Sequence, residues 1–413
     1  MIIPSIDLQH GRAVQLKRGS ELLLIDERDP VSLAAEFGRY GPIAIVDLDA
    51  AMGQGENSAI IRDCCRVARC RVGGGIRTEQ QVRDTIRFGA DKVMIGTRAT
   101  PEFLKPFPRE WIVACLDARG TEVVVEGWRE RTDDDLFDRA ERLAPFCSEF
   151  LFTQVNVEGT LAGPDLETAR ELASRTKRPI TVAGGIRGTE DFEQLEALGC
   201  NGQIGRALYE GKMDLTESWI SLLRYDASGL IPVVVEEAGS ARTLMLAYAN
   251  RESMRTALQE GCGAYWSRSR QELWIKGATS GNRQRLVEAR WDCDRDAVLF
   301  RVEQTGPACH RGEESCFRSP AASELLRLEG TLEARQRSNL AGSYSAKLIA
   351  DAQLLDAKLR EETEEVIEAE EQDHLQWECA DLLYHLMVRM RARGLALSDI
   401  ESELRARGRG EAG

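Results

Sequence analysis

Val72-Gly73-Gly74-Gly75-Ile76-Arg77 recurs as Val182-Ala183-Gly184-Gly185-Ile186-Arg187, an offset of 110 residues. Each copy is a short apolar run, then glycines, then a basic residue, the pattern of a buried strand that ends in a tight turn before a helix. Asp7 and Asp117 close two other apolar runs and are also 110 apart, and Ile95-Gly96-Thr97 returns as Ile204-Gly205-Arg206 at 109. Three landmarks at nearly one spacing divide residues 1–226 into two like halves. Working outward, strand candidates fall at 2–6, 43–49, 70–74, 92–96, 112–117, 150–155, 180–184 and 202–206, with helix-like stretches such as 78–88 and 165–174 between them. Eight strand–helix alternations predict a parallel sheet closed into a (β/α)8 TIM barrel.

In such a barrel the strand C-termini form the mouth, so Asp7 and Asp117 face it from opposite sides. Two opposed carboxylates suit general acid–base work, one taking a proton and the other giving one. The turns Gly74-Gly75, Gly96-Thr97, Gly184-Gly185 and Gly205-Arg206 let backbone N–H groups approach an anion closely, helped by the dipole of a following helix. Two such cradles on opposite sides predict a substrate with a phosphate at each end. The plainer alternative is that the glycines only shape turns and the aspartates only cap helices. The symmetry of the whole set weighs against it.

The 413 residues are enough for about two to four domains at roughly 100–200 residues each. With 43% hydrophobic and 30% charged residues the composition is that of a soluble globular protein. Lys and Arg total 54 against 68 Asp and Glu, and a net charge of −14 argues against general nucleic-acid binding, which needs surplus cations. No apolar run approaches the roughly 20 residues of a membrane span, and the start Met1-Ile2-Ile3-Pro4 lacks the features of a signal peptide. The 11 cysteines therefore read as thiols or metal ligands, and the expected compartment is cytoplasmic. The acidity is uneven, with 19 acids and 12 bases in 321–413.

After Asp226-Ala227-Ser228-Gly229 the pattern changes. Short alternating runs at 231–235, 244–247, 263–266 and 297–302 predict a small, mostly antiparallel β domain over 227–320. Beyond it, apolar residues at helical spacing over 346–371 and 375–392 predict an all-α domain over 321–413. The middle segment carries Asp292-Cys293-Asp294-Arg295-Asp296, whose acids at i, i+2 and i+4 would share one face of a strand and suit Mg²⁺. Cys293, Cys309 and Cys316 suggest a tris-thiolate zinc site with an open fourth position, and His310 beside Cys309 is placed as a general base. Buried small side chains and a turn are the alternative for these residues. In the helical segment Glu361, Glu362 and Glu365 share one helix face, and Glu378 and Asp381 share a face of the next. Antiparallel packing would gather up to five carboxylates, which calls for cations such as Mg²⁺ between them.

These residues carry three resemblances. Met1–Asp7 region, Val46-Asp47-Leu48-Asp49, Asn57, the glycine turns and Gly127-Trp128 resemble the histidine-biosynthesis barrel isomerase that acts on N′-(5′-phosphoribosylformimino)-5-aminoimidazole-4-carboxamide ribotide (ProFAR). The sister barrel, the cyclase subunit of imidazole glycerol phosphate synthase, is the nearest competitor. Ser5 and Val14-Gln15-Leu16 are more similar to the isomerase. The resemblance implies an Amadori rearrangement without a metal. Asp117 would protonate the ribose ring oxygen and Asp7 would take the C2 proton, with Thr153 among the substrate contacts. Glu158-Gly159-Thr160 departs from the family's Asp-Gly-Thr.

Tyr265-Trp266-Ser267-Arg268-Ser269-Arg270, Leu273-Trp274-Ile275-Lys276-Gly277 and Glu303-Gln304-Thr305-Gly306-Pro307-Ala308-Cys309-His310 resemble phosphoribosyl-AMP cyclohydrolase. That family implies zinc and Mg²⁺, adenine-ring opening, and a homodimer in which the zinc cysteines come from two subunits. Arg268, Arg270 and Lys276 are then candidate phosphate contacts, with solvated surface charge as the alternative. Ser343-Tyr344-Ser345-Ala346-Lys347-Leu348, the E-E-x-x-E pattern and Ala380-Asp381-Leu382-Leu383-Tyr384-His385 resemble phosphoribosyl-ATP pyrophosphohydrolase, an ATP-derived nucleotide hydrolase that works with Mg²⁺. Arg360, Thr363 and Ala357 depart from its pattern, and His374 and His385 read as structural. Together the three imply a trifunctional enzyme that is at least a homodimer through its second and third domains. Its expected ligands are phosphoribosyl-ATP, phosphoribosyl-AMP and ProFAR, with no membrane and no nucleic-acid partner. The rival is a fusion whose tail or barrel has lost catalysis and serves as a scaffold.

Overall fold

The structure is a computed structural model that describes residues 1–17, 19, 21–317, 323–337 and 343–407. Eight parallel strands form the first unit: β1 (Ile2–Gln9), β2 (Ile43–Asp47), β3 (Cys70–Gly73), β4 (Lys92–Ile95), β5 (Ile112–Arg119), β6 (Glu149–Gln154), β7 (Ile180–Ala183) and β8 (Asn201–Ile204). Each pairs with its sequence neighbours, and β8 pairs with β1, so the sheet closes on itself. The expected TIM barrel is therefore observed. Strands this short are buried on both faces, inside by the barrel core and outside by helices such as Glu79–Arg87 and Leu166–Thr176.

Inward-facing side chains stack in layers. Ile3, Ala44, Met94, Val113, Leu151 and Ala183 fill the centre. Beneath them Glu149 Oε1 meets Arg71 Nη1 at 2.5 Å, Glu149 Oε2 meets Lys92 Nζ at 3.1 Å, and Thr181 Oγ1 donates to Glu149. Two cations on one buried carboxylate hold Glu149 ionised below its ordinary range, against the burial that opposes it. Toward the mouth, Ser5 and Cys115 precede Asp7 and Asp117 by two residues on β1 and β5, and Thr153 of β6 is in register with Asp117.

Two antiparallel hairpins decorate the mouth, Arg12–Lys17 with Glu21–Asp26 and Glu122–Val125 with Glu130–Asp135. Neither is apparent from the strand pattern alone.

The second unit has a four-stranded sheet of β9 (Ile231–Glu237), β10 (Thr243–Ala249), β13 (Gln284–Trp291) and β14 (Val298–Gln304), plus the hairpin β11 (Ala264–Ser267) and β12 (Glu272–Ile275). Its pairings are antiparallel except β9 with β14, so the sheet is mixed. Helix Arg251–Glu260 packs against it, begun by an Asn250–Ser253 capping box.

The 292–296 segment is not a strand. It is the bend between β13 and β14, where Asp292 Oδ1 accepts the Asp296 and Ala297 amides at 3.1 and 3.2 Å and Arg295 takes φ +64°. An aspartate that caps its own turn competes with a ladder, and here it wins.

The third unit is helical: Glu324–Arg337, Tyr344–Ala350, Ala352–Glu368, Gln372–Ala392 and Leu397–Arg407. The helix expected over 346–371 breaks at Asp351, whose side chain caps Gln353 and Leu354 amides and restarts the chain. The expected boundary between 320 and 321 lies outside the described residues. Leu332, Leu348, Leu355, Met387 and Val388 form this unit's own core. Its last helix docks on the barrel, with Arg405 donating to Ala90 and Asp91 carbonyls and Glu403 pairing with Arg87. No helix among the described residues is long and apolar enough to cross a membrane.

Candidate functional site

Asp7 and Asp117 lie on β1 and β5, four strands apart in a ring of eight, so they face the mouth from opposite walls. Asp7 accepts Ser5 Oγ at 2.8 Å, and burial pushes its carboxyl up to about 6 despite that bond. Asp117 is also raised by burial, opposed by hydrogen bonds from the Trp128 and Thr153 side chains. Thr153 pairs in register with Asp117 across β5 and β6, which is how it reaches the carboxylate. Two carboxyls moved toward neutrality are suited to exchanging protons near pH 7.

Trp128 comes from the tip of the second mouth hairpin, where Glu126, Gly127 and Trp128 all have positive φ. Positive φ at the non-glycine Glu126 and Trp128 is strained and is kept only where surrounding contacts hold it. Here Thr97 Oγ1 accepts the Glu126 amide at 3.0 Å, so the β4 turn holds the hairpin tip over the mouth. The motif Gly127-Trp128 was visible in the sequence, but the indole's role on Asp117 was not.

Opposite, Asn57 bridges Asp47 and Asp49 at 2.8 and 3.0 Å and accepts the Gly11 amide at 3.1 Å, while the His10 amide donates to Asp49 at 2.6 Å. That buried network fixes the turn after Asp7.

The glycine turns sit where expected, after β3, β4, β7 and β8. Gly74 has φ +97°, and a Cβ there would lie 2.2 Å from Asp47 O. At Gly185, φ +79°, it would lie 2.2 Å from Gly163 O. Backbone-to-backbone packing thus requires glycine at both positions, independently of any anion. Gly75 and Gly184 also have positive φ, whereas a Cβ at Gly96 would meet only Cys115 Cβ at 3.8 Å, an ordinary contact. Gly205 approaches the Gln15 side chain, and Arg206 is tied to Gly159 O and Glu210.

In the second unit burial and the neighbouring Cys309 push the Cys316 thiol up, and Cys309 Sγ is 4.0 Å from His310 Nδ1. Lys276 lies beside them. Burial lowers its ammonium from the ordinary value, and the two cysteines oppose that shift. Cys293 is exposed in the 292–296 bend and joins no metal-ligating group of this chain among the described residues. Asp292, Asp294 and Asp296 bring oxygens within 4.8 Å of one another. Asp294, then desolvation and Asp292, push the Asp296 carboxyl up, and Arg224 opposes the shift. Arg268 stacks on Tyr248 at 3.7 Å and Arg270 pairs with Glu272 at 3.1 Å.

In the third unit Glu362, Glu365 and Glu378 gather within 4.8 Å, with Glu362 and Glu378 buried. Desolvation, then Glu378 and Glu362, raise the Glu365 carboxyl. Glu361 instead pairs with Lys358 at 2.7 Å, and Asp381 stays outside the cluster, so three of the five expected acids converge. His385, buried, lies 3.4 Å from Glu362 and 2.9 Å from Asp381 O, and His374 lies 3.0 Å from Glu378. Three hard oxygen donors at each acidic cluster fit Mg²⁺, and soft thiols at Cys309 and Cys316 fit zinc.

Comparison with known proteins agrees with this division. Residues 1–214 match the family described as Histidine biosynthesis protein, 245–318 match Phosphoribosyl-AMP cyclohydrolase and 325–408 match Phosphoribosyl-ATP pyrophosphohydrolase. The chain is similar to the histidine biosynthesis bifunctional protein HisIE of Bacillus subtilis, 41% identical over 45% of this chain and 94% of that protein. The HisIE protein of Thermus thermophilus is 41% identical over 45% of this chain and 92% of its own length. A histidine biosynthesis trifunctional protein of Kluyveromyces lactis is 42% identical over 46% of this chain but only 24% of its own length. The chain belongs to the histidine biosynthesis protein family through its barrel, and it is a multifunctional enzyme that joins this isomerase unit to a phosphoribosyl-AMP cyclohydrolase and a phosphoribosyl-ATP pyrophosphohydrolase.

Proposed function

We propose that the chain performs three successive reactions in the reverse of its domain order. The helical unit hydrolyses phosphoribosyl-ATP to phosphoribosyl-AMP and pyrophosphate, the middle unit opens the adenine ring to give ProFAR, and the barrel isomerises ProFAR. The observation that carries this reading is the pair of raised, opposed carboxyls Asp7 and Asp117 in a mouth flanked by two glycine-turn pairs.

In the barrel, Asp117 gives its proton to the ribose ring oxygen, and the ring opens to a Schiff base. Asp7 then removes the C2 proton, and the resulting enolamine tautomerises to the aminoketose. Trp128 and Thr153 hold the Asp117 carboxyl toward the reacting atoms, while Ser5 holds Asp7. Gly74-Gly75 with Gly96-Thr97 bind one phosphate, and Gly184-Gly185 with Gly205-Arg206 bind the other. Arg206 must turn from Glu210 to do so.

Cys309 and Cys316, with Cys293 of a second copy, would hold zinc, and the acid clusters would hold Mg²⁺. Zinc acidifies water and Mg²⁺ screens phosphate charge when they are bound. His310 removes the proton from the attacking water in the middle unit, and Lys276, Arg268 and Arg270 receive the phosphate. This arrangement requires at least a homodimer. Domain limits of 1–226, 227–320 and 321–413 follow from the same reading.

Single-site variants test the order. Given phosphoribosyl-ATP, Glu378→Gln leaves it unconverted, Cys309→Ser accumulates phosphoribosyl-AMP, and Asp7→Asn accumulates ProFAR. Any variant that fails to accumulate its own intermediate removes that assignment.

A further inference from the structure

The acidic bend of the middle unit is held by the barrel rather than by its own sheet alone. At its entry Trp291 lies against Trp219 of helix Leu215–Ser221, ring centroids 4.9 Å apart, and Trp219 is fixed by its Nε1 donating to Tyr40 O at 3.0 Å. Upstream on β13, the Ala289 amide donates to Arg39 O at 2.7 Å. At the centre of the bend Arg295 stands between Asp294 and Asp296, yet its side chain turns away from both. It is 8% exposed, with Nη2 2.6 Å from Glu196 Oε1 on barrel helix Thr189–Ala197. Its carbonyl accepts the Arg224 amide at 2.8 Å, and its φ of +64° keeps the bend in a conformation that most side chains avoid.

A guanidinium between two carboxylates would ordinarily fold onto one of them, because a paired carboxylate–arginine contact is among the strongest polar contacts available. Glu196 offers it a partner in another domain. The three aspartates are then left with oxygens within 4.8 Å of one another and without the Arg295 guanidinium among them, Arg224 being a cation that acts on Asp296.

We propose that Glu196, a barrel residue, is a positioning residue for the cation site of the middle unit, acting through Arg295. By drawing the guanidinium onto the barrel it keeps Asp294 and Asp296 free for a divalent cation and holds the bend in its receiving shape. This rests on reading Asp292, Asp294 and Asp296 as a cation site. It makes the barrel part of the cyclohydrolase unit's metal affinity.

Tb³⁺, a hard ion that prefers carboxylate oxygens, reports the site directly through luminescence sensitised by Trp291. The full chain is titrated in a Glu362→Gln/Glu378→Gln background so that the tail acids beside Trp377 do not contribute. A saturable signal lost in Asp294→Asn establishes the cation site. Its absence, or its persistence in that variant, sinks the cation reading and the proposal with it. Given the site, Glu196→Gln weakens Tb³⁺ binding about tenfold, the scale of a lost outer partner of a metal site. In an Arg295→Gly chain, which retains the positive φ, Glu196→Gln has no further effect. Unchanged affinity in Glu196→Gln, or an equal loss with and without Arg295, overturns the proposal and leaves the cation reading standing. Isomerase activity of Glu196→Gln stays at the wild-type level, which shows that the barrel is intact.

Discussion

Ser5→Ala isolates what holds Asp7 ready to act as a base. Burial pushes the Asp7 carboxyl up to about 6, and the Ser5 hydroxyl, 2.8 Å away, opposes the shift by donating to the ionised form. Removing that donor raises the pKa further. A hydrogen bond to a charged group contributes about 1.5–3 kcal/mol, and with partial replacement by water the shift is about one unit. The ionised fraction of Asp7 then falls from about one half to about one tenth at pH 6, and from about nine tenths to about one half at pH 7.

The isomerase kcat/KM of Ser5→Ala should therefore drop about fivefold at pH 6, about twofold at pH 7 and not at all at pH 9. The assay is ProFAR conversion across pH 5–9, fitted for the acid limb. An acid limb that stays in place, moves to lower pH, or shows a uniform loss at every pH refutes the assignment of Asp7 as the base.

The same carboxyl has a stability consequence. Its folded pKa lies above the unfolded value, so the unfolded chain ionises first and stability falls as pH rises from about 4 to about 6. Asp7→Asn, inactive as an isomerase, should be more stable than wild type by about 1–3 kcal/mol at pH 8 and equal to it near pH 3.5, as read by thermal melts. A lower melting temperature at pH 8 contradicts this. Trp128→Phe keeps an aromatic ring but loses the donor to Asp117, and should cut isomerase kcat about tenfold while sparing adenine-ring opening by the middle unit. Arg71→Met leaves Glu149 with Lys92 alone and should cost about 3 kcal/mol in urea unfolding. Glu378→Gln relieves repulsion among the tail acids, so the metal-free chain should melt higher than wild type and lose its Mg²⁺-induced rise.

The barrel was legible because its evidence is periodic. The 110-residue offset links Asp7 to Asp117 and Gly74 to Gly184, and a closed ring turns that offset into opposition across the mouth. Local competition was harder to read. Acids at 292, 294 and 296 suit a strand face, but Asp292 captures the amides of its own turn, and the three carboxylates converge by bending instead. Asp351 likewise breaks a helix that its apolar spacing would continue. In the tail, E-E-x-x-E cannot say which glutamate points inward, and Lys358 draws Glu361 out. Contacts between domains leave no local trace. Neither Glu196 on Arg295 nor Trp219 on Trp291 has a pattern that pairs them before folding.

The most direct test supplies phosphoribosyl-ATP, Mg²⁺ and Zn²⁺ to the full chain alone and follows products by ion-exchange chromatography and NMR, since ProFAR and its isomer share one mass. The account predicts pyrophosphate and the isomerised aminoketose, with phosphoribosyl-AMP and ProFAR only as transients. A reaction that never consumes phosphoribosyl-ATP, or that halts at phosphoribosyl-AMP or at ProFAR, contradicts it and names the unit that serves as a scaffold.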